Sequence, residues 1–175
     1  MPKKLLLLFI ITIFLSSCGF QLKGFRDVKN ERYSNINVSV LSSPRNNDGR
    51  ILASLKQRIK SFDFKYVNQI KDSDYYVEII DAKYNKEIQT KSSTGLVKQY
   101  LLKFNVRYVI YKHTSKDSFD IVKPMGTIYL QTDYTYEPQN ILGSDSEEKI
   151  IADNLRKEAS GKILNVLTQV IDNQK

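Results

Sequence analysis

The residue types that most often carry catalysis are scarce in this chain of 175 residues. It contains a single histidine, His113, and a single cysteine, Cys18. A conventional hydrolase relay depends on a histidine beside its nucleophile, and His113 lies next to Lys112 in what we predict to be an exposed polar turn. One histidine and one cysteine also exclude a zinc site built from several such ligands. The sequence therefore predicts a protein that is not an enzyme and needs no metal or other cofactor.

The paired carboxylates Glu147 and Glu148 are the other candidates for chemistry. Adjacent residues on a helix point in different directions, so this pair is poorly placed for joint acid–base work. Acidic side chains near the start of a helix stabilise its positive end instead. We therefore expect both glutamates to have a structural role.

The N-terminus has the pattern of a secretory signal peptide. Lys3 and Lys4 precede an apolar stretch, residues 5–15, in which only Thr12 is polar. This stretch is too short for the roughly 30 Å hydrocarbon core of a bilayer, so it is not a membrane span. The predicted organisation is a signal peptide at residues 1–17, a tether and entry loop at residues 18–34 and a single domain at residues 35–175.

The cysteine lies directly after this apolar stretch. The run from Leu15 to Cys18, Leu-Ser-Ser-Cys, resembles the lipobox of bacterial lipoproteins, in which the cysteine is acylated and becomes the first mature residue. An ordinary signal peptide with a cysteine near its cleavage site is the alternative. The resemblance implies a lipid anchor at Cys18. Because Gly19 follows instead of an aspartate, it also implies the periplasmic face of the outer membrane.

The chain is basic, with 27 lysines and arginines against 19 acidic residues and a net charge of +8. Loss of Lys3 and Lys4 with the signal peptide leaves +6. An exported, lipid-anchored protein does not meet nucleic acid, so we expect its basic surface to face anionic lipid head groups or a phosphorylated glycolipid. The excess charge lies in residues 83–116, where eight basic side chains accompany a single acidic one, Glu87.

Hydrophobic periodicity predicts two helices and four strands. The first helix follows a loop in which Asn47 or Asp48 is the N-cap. The last helix is predicted over residues 145–171, with Ser144 and Glu147 forming a capping box. The order β-α-β-β-β-α predicts an α+β fold in which two helices pack on a four-stranded, mostly antiparallel sheet. The predicted strands are residues 36–40, 75–84, 96–111 and 119–136.

Two short motifs point to a known family. Residues 18–24 are Cys-Gly-Phe-Gln-Leu-Lys-Gly. Tyr136, residues 140–143 and residues 147–148 form a loop that leads into an acidic helix start. Both motifs resemble the LptE family of lipopolysaccharide-assembly lipoproteins, whose mature chains open Cys-Gly-aromatic-x-Leu-Arg-Gly. Position 23 departs from that pattern with a lysine, which keeps the charge, and the resemblance covers most of the mature chain.

The resemblance to this family implies a role and a set of partners. Its members sit as a plug in the lumen of a large β-barrel translocon, LptD, and are not enzymes. They help that barrel to assemble and assist the insertion of lipopolysaccharide into the outer leaflet. The expected partners are therefore an LptD-type β-barrel outer-membrane protein, lipopolysaccharide and the membrane itself. A free periplasmic lipoprotein that binds or carries a lipid is the alternative.

Three side chains of the basic segment are candidates for binding the phosphates of lipopolysaccharide. Lys103 and Arg107 share one face of a predicted strand, about 13 Å apart at ~3.3 Å per residue. Lys91 lies nearby in the sequence. Arginine suits phosphate because it offers bidentate donors. The alternative is a solvated sheet face whose lysines maintain solubility.

Overall fold

The computed structural model describes residues 32–115, 118–137, 139 and 141–174, without the side chains of residues 141 and 142. The predicted signal peptide, the predicted acylation site Cys18 and most of the tether lie outside the described residues. Among the helices of the described part, none has the length and apolar character needed to cross a membrane.

Within the described residues, two helices and five strands follow one another in the order β-α-β-β-β-β-α, which adds one strand to the predicted order. The added strand has only two residues, too few for the alternation that marks a strand in a sequence. A 3₁₀ helix at Ile70–Asp72 precedes the third strand. The elements are β1, Asn37–Ser42; α1, Arg50–Ser61; β2, Lys65–Tyr66; β3, Tyr75–Lys91; β4, Val97–Ser115; β5, Ser118–Thr135; and α2, Ile141–Asp172.

The strands form one mixed sheet in the order β2-β1-β3-β4-β5. β1 is parallel to both of its neighbours, whereas the long strands β3, β4 and β5 pair as antiparallel hairpins. The turn between β3 and β4 contains Gly95, whose φ of 83° lies in the left-handed region that glycine adopts without strain. The predicted α+β class is confirmed, with five strands in place of four.

The core lies between one face of the sheet, here called the inner face, and the two helices. β4 shows the predicted alternation, because the side chains of its even-numbered residues from 102 to 110 are buried on this face. The apolar stripes of both helices pack against them. From α1 these are Ile51, Leu55 and Ile59, and from α2 they include Leu155, Ala159, Ile163 and Leu167.

The residues at the starts of the two helices differ from those that the sequence predicted. The N-cap of α1 is Gly49, so the predicted N-cap at Asn47 or Asp48 is wrong, although the backbone N–H of Arg50 donates to Asp48 Oδ1 at 3.0 Å. α2 begins at Ile141, so Ser144 lies inside the helix and the predicted capping box is wrong. Ser144 Oγ instead donates to the backbone carbonyl of Glu137 at 3.3 Å. The serine hydroxyl therefore holds the preceding loop against the helix.

Candidate functional site

β4 places Lys103 and Arg107 on the outer face of the sheet, opposite the core. The two residues are four positions apart, so the alternation of the strand keeps them on one side, as predicted. The side chain of Lys103 is 23% exposed and that of Arg107 is 45% exposed. A ligand on the outer face can therefore reach both.

Each of these cations has a carboxylate partner on the neighbouring strand β3. Lys103 Nζ lies 2.5 Å from Glu87 Oε2, and Arg107 Nη2 lies 3.3 Å from Asp81 Oδ2. The hydrogen bond with Glu87 raises the pKa of Lys103, so its ammonium group stays charged. Exposed pairs of this kind contribute little to stability. They do neutralise part of the positive charge that residues 83–116 carry in sequence.

The neutralising carboxylates come from both neighbours of β4. β3 contributes Asp81 and Glu87, and β5 contributes Asp133, which lies opposite Leu101. Along the part of the outer face that pairs with residues 99–107, the cations and carboxylates are equal in number. They are Lys83, Lys103 and Arg107 against Asp81, Glu87 and Asp133.

Lys91 lies apart from Lys103 and Arg107. It is the last residue of β3, opposite Val97, whereas Lys103 lies opposite Asn85. The strand between positions 85 and 91 covers about 20 Å at ~3.3 Å per residue, and two register irregularities interrupt it. The structure therefore brings two of the three predicted residues together and places Lys91 at the tip of the hairpin.

An open groove of about 630 Å³ lies beside that tip. Its walls are the turn between β3 and β4 and the loop that leads into α2. The groove combines an apolar wall, where Leu96 is 61% exposed, with charged and polar groups, a combination that suits an amphipathic ligand. The lining residues are Ser92, Thr94, Leu96, Val97, Lys98, Tyr136, Glu137 and Gln139.

The ammonium group of Lys86 is surrounded by aromatic rings on the inner side of the sheet, an arrangement that the sequence analysis missed. Its Nζ lies 4.0 Å from the ring centroid of Tyr100, and 5.8 and 5.9 Å from those of Tyr134 and Tyr136. Glu148 Oε2 lies 2.5 Å from the same nitrogen. These contacts tie the first turns of α2 to β3. The sequence pattern carried no signal for this site, because Lys86 lies beyond the strand predicted at residues 75–84 and the register irregularity between Ile79 and Asp81 decides which face it occupies.

The other end of the outer face carries an aromatic cluster. The rings of Tyr76 and Tyr111 stack with centroids 4.3 Å apart, and Phe119 packs edge-on against Tyr76 at 5.0 Å. Burial raises the pKa of Tyr76 to about 12, with a further contribution from Tyr111. His113 stacks on Phe119 at 4.6 Å and is part of β4, so the predicted exposed turn is wrong. The outer face is therefore polar in its middle and aromatic at this end.

The chain is similar to known lipoproteins in sequence pattern and in fold. A family model described as "LptE: Lipopolysaccharide-assembly" matches residues 35–167. Among curated proteins, none matches the chain.

Three solved structures share the fold at low sequence identity. Rare lipoprotein B from Shewanella oneidensis has a TM-score of 0.63 and 18% identity over 79% of this chain and 98% of that chain. Lipoprotein B from Nitrosomonas europaea has a TM-score of 0.61 and 21% identity over 74% and 79%. A minor lipoprotein from Acinetobacter baumannii has a TM-score of 0.58 and 13% identity over 79% and 92%.

Proposed function

The chain belongs to the LptE family of lipopolysaccharide-assembly proteins, and we propose that it binds and plugs an LptD-type β-barrel in the outer membrane. In this role it assists assembly of the barrel and insertion of lipopolysaccharide into the outer leaflet, without catalysis of its own. The observation that carries the proposal is the family match, which spans residues 35–167 and so nearly all of the predicted domain.

The character of the outer face supports a position inside a barrel. The lumen of an outer-membrane barrel is polar, and the middle of the outer face presents paired charges. Tyr129 is 52% exposed there, and its hydroxyl donates to Gln131 Oε1 at 3.2 Å. Tyrosine suits an interface because the ring supplies contact area and the hydroxyl a polar end. Such a surface matches a polar lumen better than an apolar surface would.

The direct test is affinity purification of the full chain from detergent-solubilised outer membranes of the native bacterium. We expect an LptD-type β-barrel protein to co-purify in a one-to-one ratio. Recovery of the chain alone, with bound lipid, would instead favour a free periplasmic carrier. Depletion of the chain should lower both mature barrel and surface lipopolysaccharide, and unchanged levels of both would contradict the proposal.

Cys18 carries the lipid anchor in this proposal, on the periplasmic face of the outer membrane. The support is the Leu-Ser-Ser-Cys run after a short apolar stretch. Cys18→Ala should yield an unacylated chain, either retained as a precursor or released as a soluble form. Labelling with a fatty acid followed by mass spectrometry measures the outcome. Label attached to another residue of the variant would refute the lipobox assignment.

Lys103 and Arg107, together with Lys91 at the hairpin tip, are proposed to contact phosphate groups of lipopolysaccharide. A separation of about 13 Å at ~3.3 Å per residue is too long for one phosphate but comparable to a disaccharide with a phosphate at each end. The phosphates have to replace Glu87 and Asp81 as partners. That exchange is feasible because Glu87 is 53% exposed and Asp81 is 29% exposed, so neither pair is deeply buried.

The double variant Lys103→Gln with Arg107→Gln tests this contact. Its lipopolysaccharide binding, measured at two salt concentrations, should be weaker than that of the wild type and should depend less on salt. Lys83→Gln is the matched control, because it removes one cation from the same face outside the proposed pair. Equal affinity and equal salt dependence in the double variant would leave the outer face as a solvated surface.

A further inference from the structure

We propose that the groove between α1 and α2 is a binding site for a phosphate group. The groove lies on the helical side of the molecule, away from the outer face of the sheet. Residues of the two helices form this site, and it does not depend on the proposed role in lipopolysaccharide assembly.

The groove consists of two adjoining hollows, of about 160 and 220 Å³. Ser54 and Gln57 of α1 and Lys157 of α2 line both of them. Arg58 lines only the smaller hollow, and Arg50 lines only the larger one. Cationic side chains from both helices thus surround a space that also offers a hydroxyl and an amide as hydrogen-bond donors.

The charge in the groove is only partly neutralised. α1 has four basic side chains and no acidic residue. The one carboxylate that lines the groove, Asp153, lies 2.8 Å from Arg156 Nη1 and 3.7 Å from Arg50 Nη1. Among the ion pairs of the described residues, none involves Arg58 or Lys157. Two cations in the groove therefore have no carboxylate within 4 Å in the described part.

Gly161 shows how the guanidinium of Arg58 is held. A Cβ added at Gly161 would lie 2.9 Å from Arg58 Nη2, 3.5 Å from Nε and 3.6 Å from Cζ, and these are its three nearest neighbours outside the local backbone of α2. Gly161 thus leaves room for the guanidinium of Arg58, an arrangement here called the Arg58 seat, and the nearest atoms there belong to the arginine side chain. Glycine weakens a helix interior relative to alanine, so the seat has a cost in helix stability. Gly161 lies one turn beyond Lys157, which puts both cations over the same side of α2.

The chemistry of these groups fits a phosphate. Arginine presents a planar fork of donors that matches two phosphate oxygens, and lysine adds a compact positive charge. Both side chains can only donate hydrogen bonds. They therefore bind a hydrogen-bond acceptor, best an anion, and repel a cation. The geometry points to a phosphate or phosphomonoester, either free or carried on a lipid head group or a sugar.

The test uses the full chain in detergent and pyrophosphate as the probe, with binding measured by isothermal titration calorimetry. The wild type should bind pyrophosphate, and Arg58→Gln should weaken binding at least tenfold. Gly161→Ala should weaken it severalfold while leaving the melting temperature equal or higher, since alanine favours the helix and displaces only the guanidinium. That combination separates loss of the seat from loss of the fold.

Lys60→Gln is the matched control for charge. It removes one cation from the same helix, but the Lys60 ammonium lies over the ring of Tyr66, 5.3 Å from its centroid, and outside the groove. Its affinity for pyrophosphate should match the wild type. Failure of the wild type to bind, equal weakening by Lys60→Gln and Arg58→Gln, or full binding by Gly161→Ala would each overturn the proposal.

Two further probes identify the source of the phosphate. Binding of wild type and Arg58→Gln is compared on phosphatidylglycerol vesicles and on lipopolysaccharide. Weaker binding of the variant to vesicles alone assigns a phospholipid head group, and weaker binding to lipopolysaccharide alone assigns a phosphorylated sugar. Unchanged binding to both, with loss of pyrophosphate binding, assigns a free phosphate compound.

Discussion

The outer face of the sheet and the groove between the helices both carry cations, but only the sheet pairs most of its cations with carboxylates. On the outer face, Lys103 and Arg107 each contact an acidic residue of β3. In the groove, Arg58 and Lys157 have no such partner among the described residues. The basic segment at residues 83–116, which dominates the charge in sequence, is therefore neutral in the middle of the folded face.

The two regions differ because of the elements that build them. A strand in the interior of a sheet has a neighbour on each side, only about 4.8 Å away, so β3 and β5 can both supply carboxylates to β4. α1 has no acidic residue. Besides its two arginines it has two lysines, Lys56 and Lys60, which lie over the ring of Tyr66. Its partners have to come from α2, where Asp153 is already shared by two arginines. The local density of charge in a sequence is thus a poor guide to where a folded surface is positive.

The largest expected effect tests whether the two regions are on opposite sides of the core. Leu167 of α2 is fully buried, so Leu167→Asp should lower the free energy of unfolding by about 5 kcal/mol or more, since it buries an unpaired charge. Ile150→Asp on the same helix is the control, because Ile150 is 62% exposed. Denaturant unfolding measures both. An equal and small loss of unfolding free energy in both variants would show that Leu167 does not face the core. The position of the groove between α1 and α2 would then be wrong as well.

The second expected effect compares a buried ion pair at the groove with an exposed pair on the sheet. The side chain of Arg156 is 3% exposed, and its Nε donates to Asp48 Oδ2 at 2.8 Å. Asp48→Ala leaves a buried guanidinium with one partner fewer and should cost about 3 kcal/mol. Glu87→Ala removes an exposed partner and should change the free energy of unfolding little. Similar losses for the two variants would remove the contrast between the regions.

The third expected effect concerns the aromatic end of the outer face and its dependence on pH. The pKa of Tyr76 is raised to about 12 in the folded chain from an ordinary value near 10. Because the folded pKa is the higher one, the stabilisation is complete below pH 10 and is lost as the pH rises from 10 to 12.

Tyr76→Phe should remove the contribution of Tyr76 to the fall in the free energy of unfolding at alkaline pH. That contribution is on the order of 1 kcal/mol, because the ring is half-buried and solvent partly screens its charge. Denaturant unfolding at pH 9 and pH 11.5 measures it. Tyr129→Phe is the control, since Tyr129 is 52% exposed on the same face. An equal fall in the free energy of unfolding between pH 9 and pH 11.5 in the wild type and in Tyr76→Phe would contradict a raised pKa of Tyr76.

The smallest expected effect frees the cations of the outer face. Glu87→Gln with Asp81→Asn removes the two carboxylates while leaving Lys103 and Arg107 in place. If these cations contact the phosphates of lipopolysaccharide, the double variant should bind it severalfold more tightly, and the melting temperature should change little. Unchanged or weaker binding would show that the carboxylates do not compete with a ligand for these cations.

Much of the fold was predictable because it depends on local periodicity. The stripe of α1 and the alternation of β4 follow from the geometry of an isolated helix or strand, and both are confirmed. The two residues of β2 carry no pattern, and their strand exists only through pairing with β1. The predicted start of α2 was four residues late, because Ser144 and Glu147 have the spacing of a capping box, whereas the hydroxyl of Ser144 bonds Glu137 in the preceding loop.

The candidate sites were predictable only in part. The sequence placed Lys103 and Arg107 on one strand face, and the structure confirms this, whereas the proximity of Lys91 depended on a hairpin register that sequence distance does not give. The Arg58 seat at Gly161 had a weak signal, a glycine inside a strongly helical segment. Its partner could not be inferred, because helix packing alone brings it there.

The sequence by itself determined the presence of both helices and of the four longer strands, and it determined which residues of α1, α2 and β4 face the core. Those properties depend on backbone geometry within a few residues. The tertiary structure alone decided which carboxylates of other elements pair with Lys103, Arg107 and Arg156, because those contacts join residues far apart in the chain. Lys103 and Glu87 are 16 positions apart, Arg107 and Asp81 are 26 apart, and Arg156 and Asp48 are 108 apart. Strand register and helix packing bring these groups within a few ångströms, and with them decide which cations remain free to bind an anion.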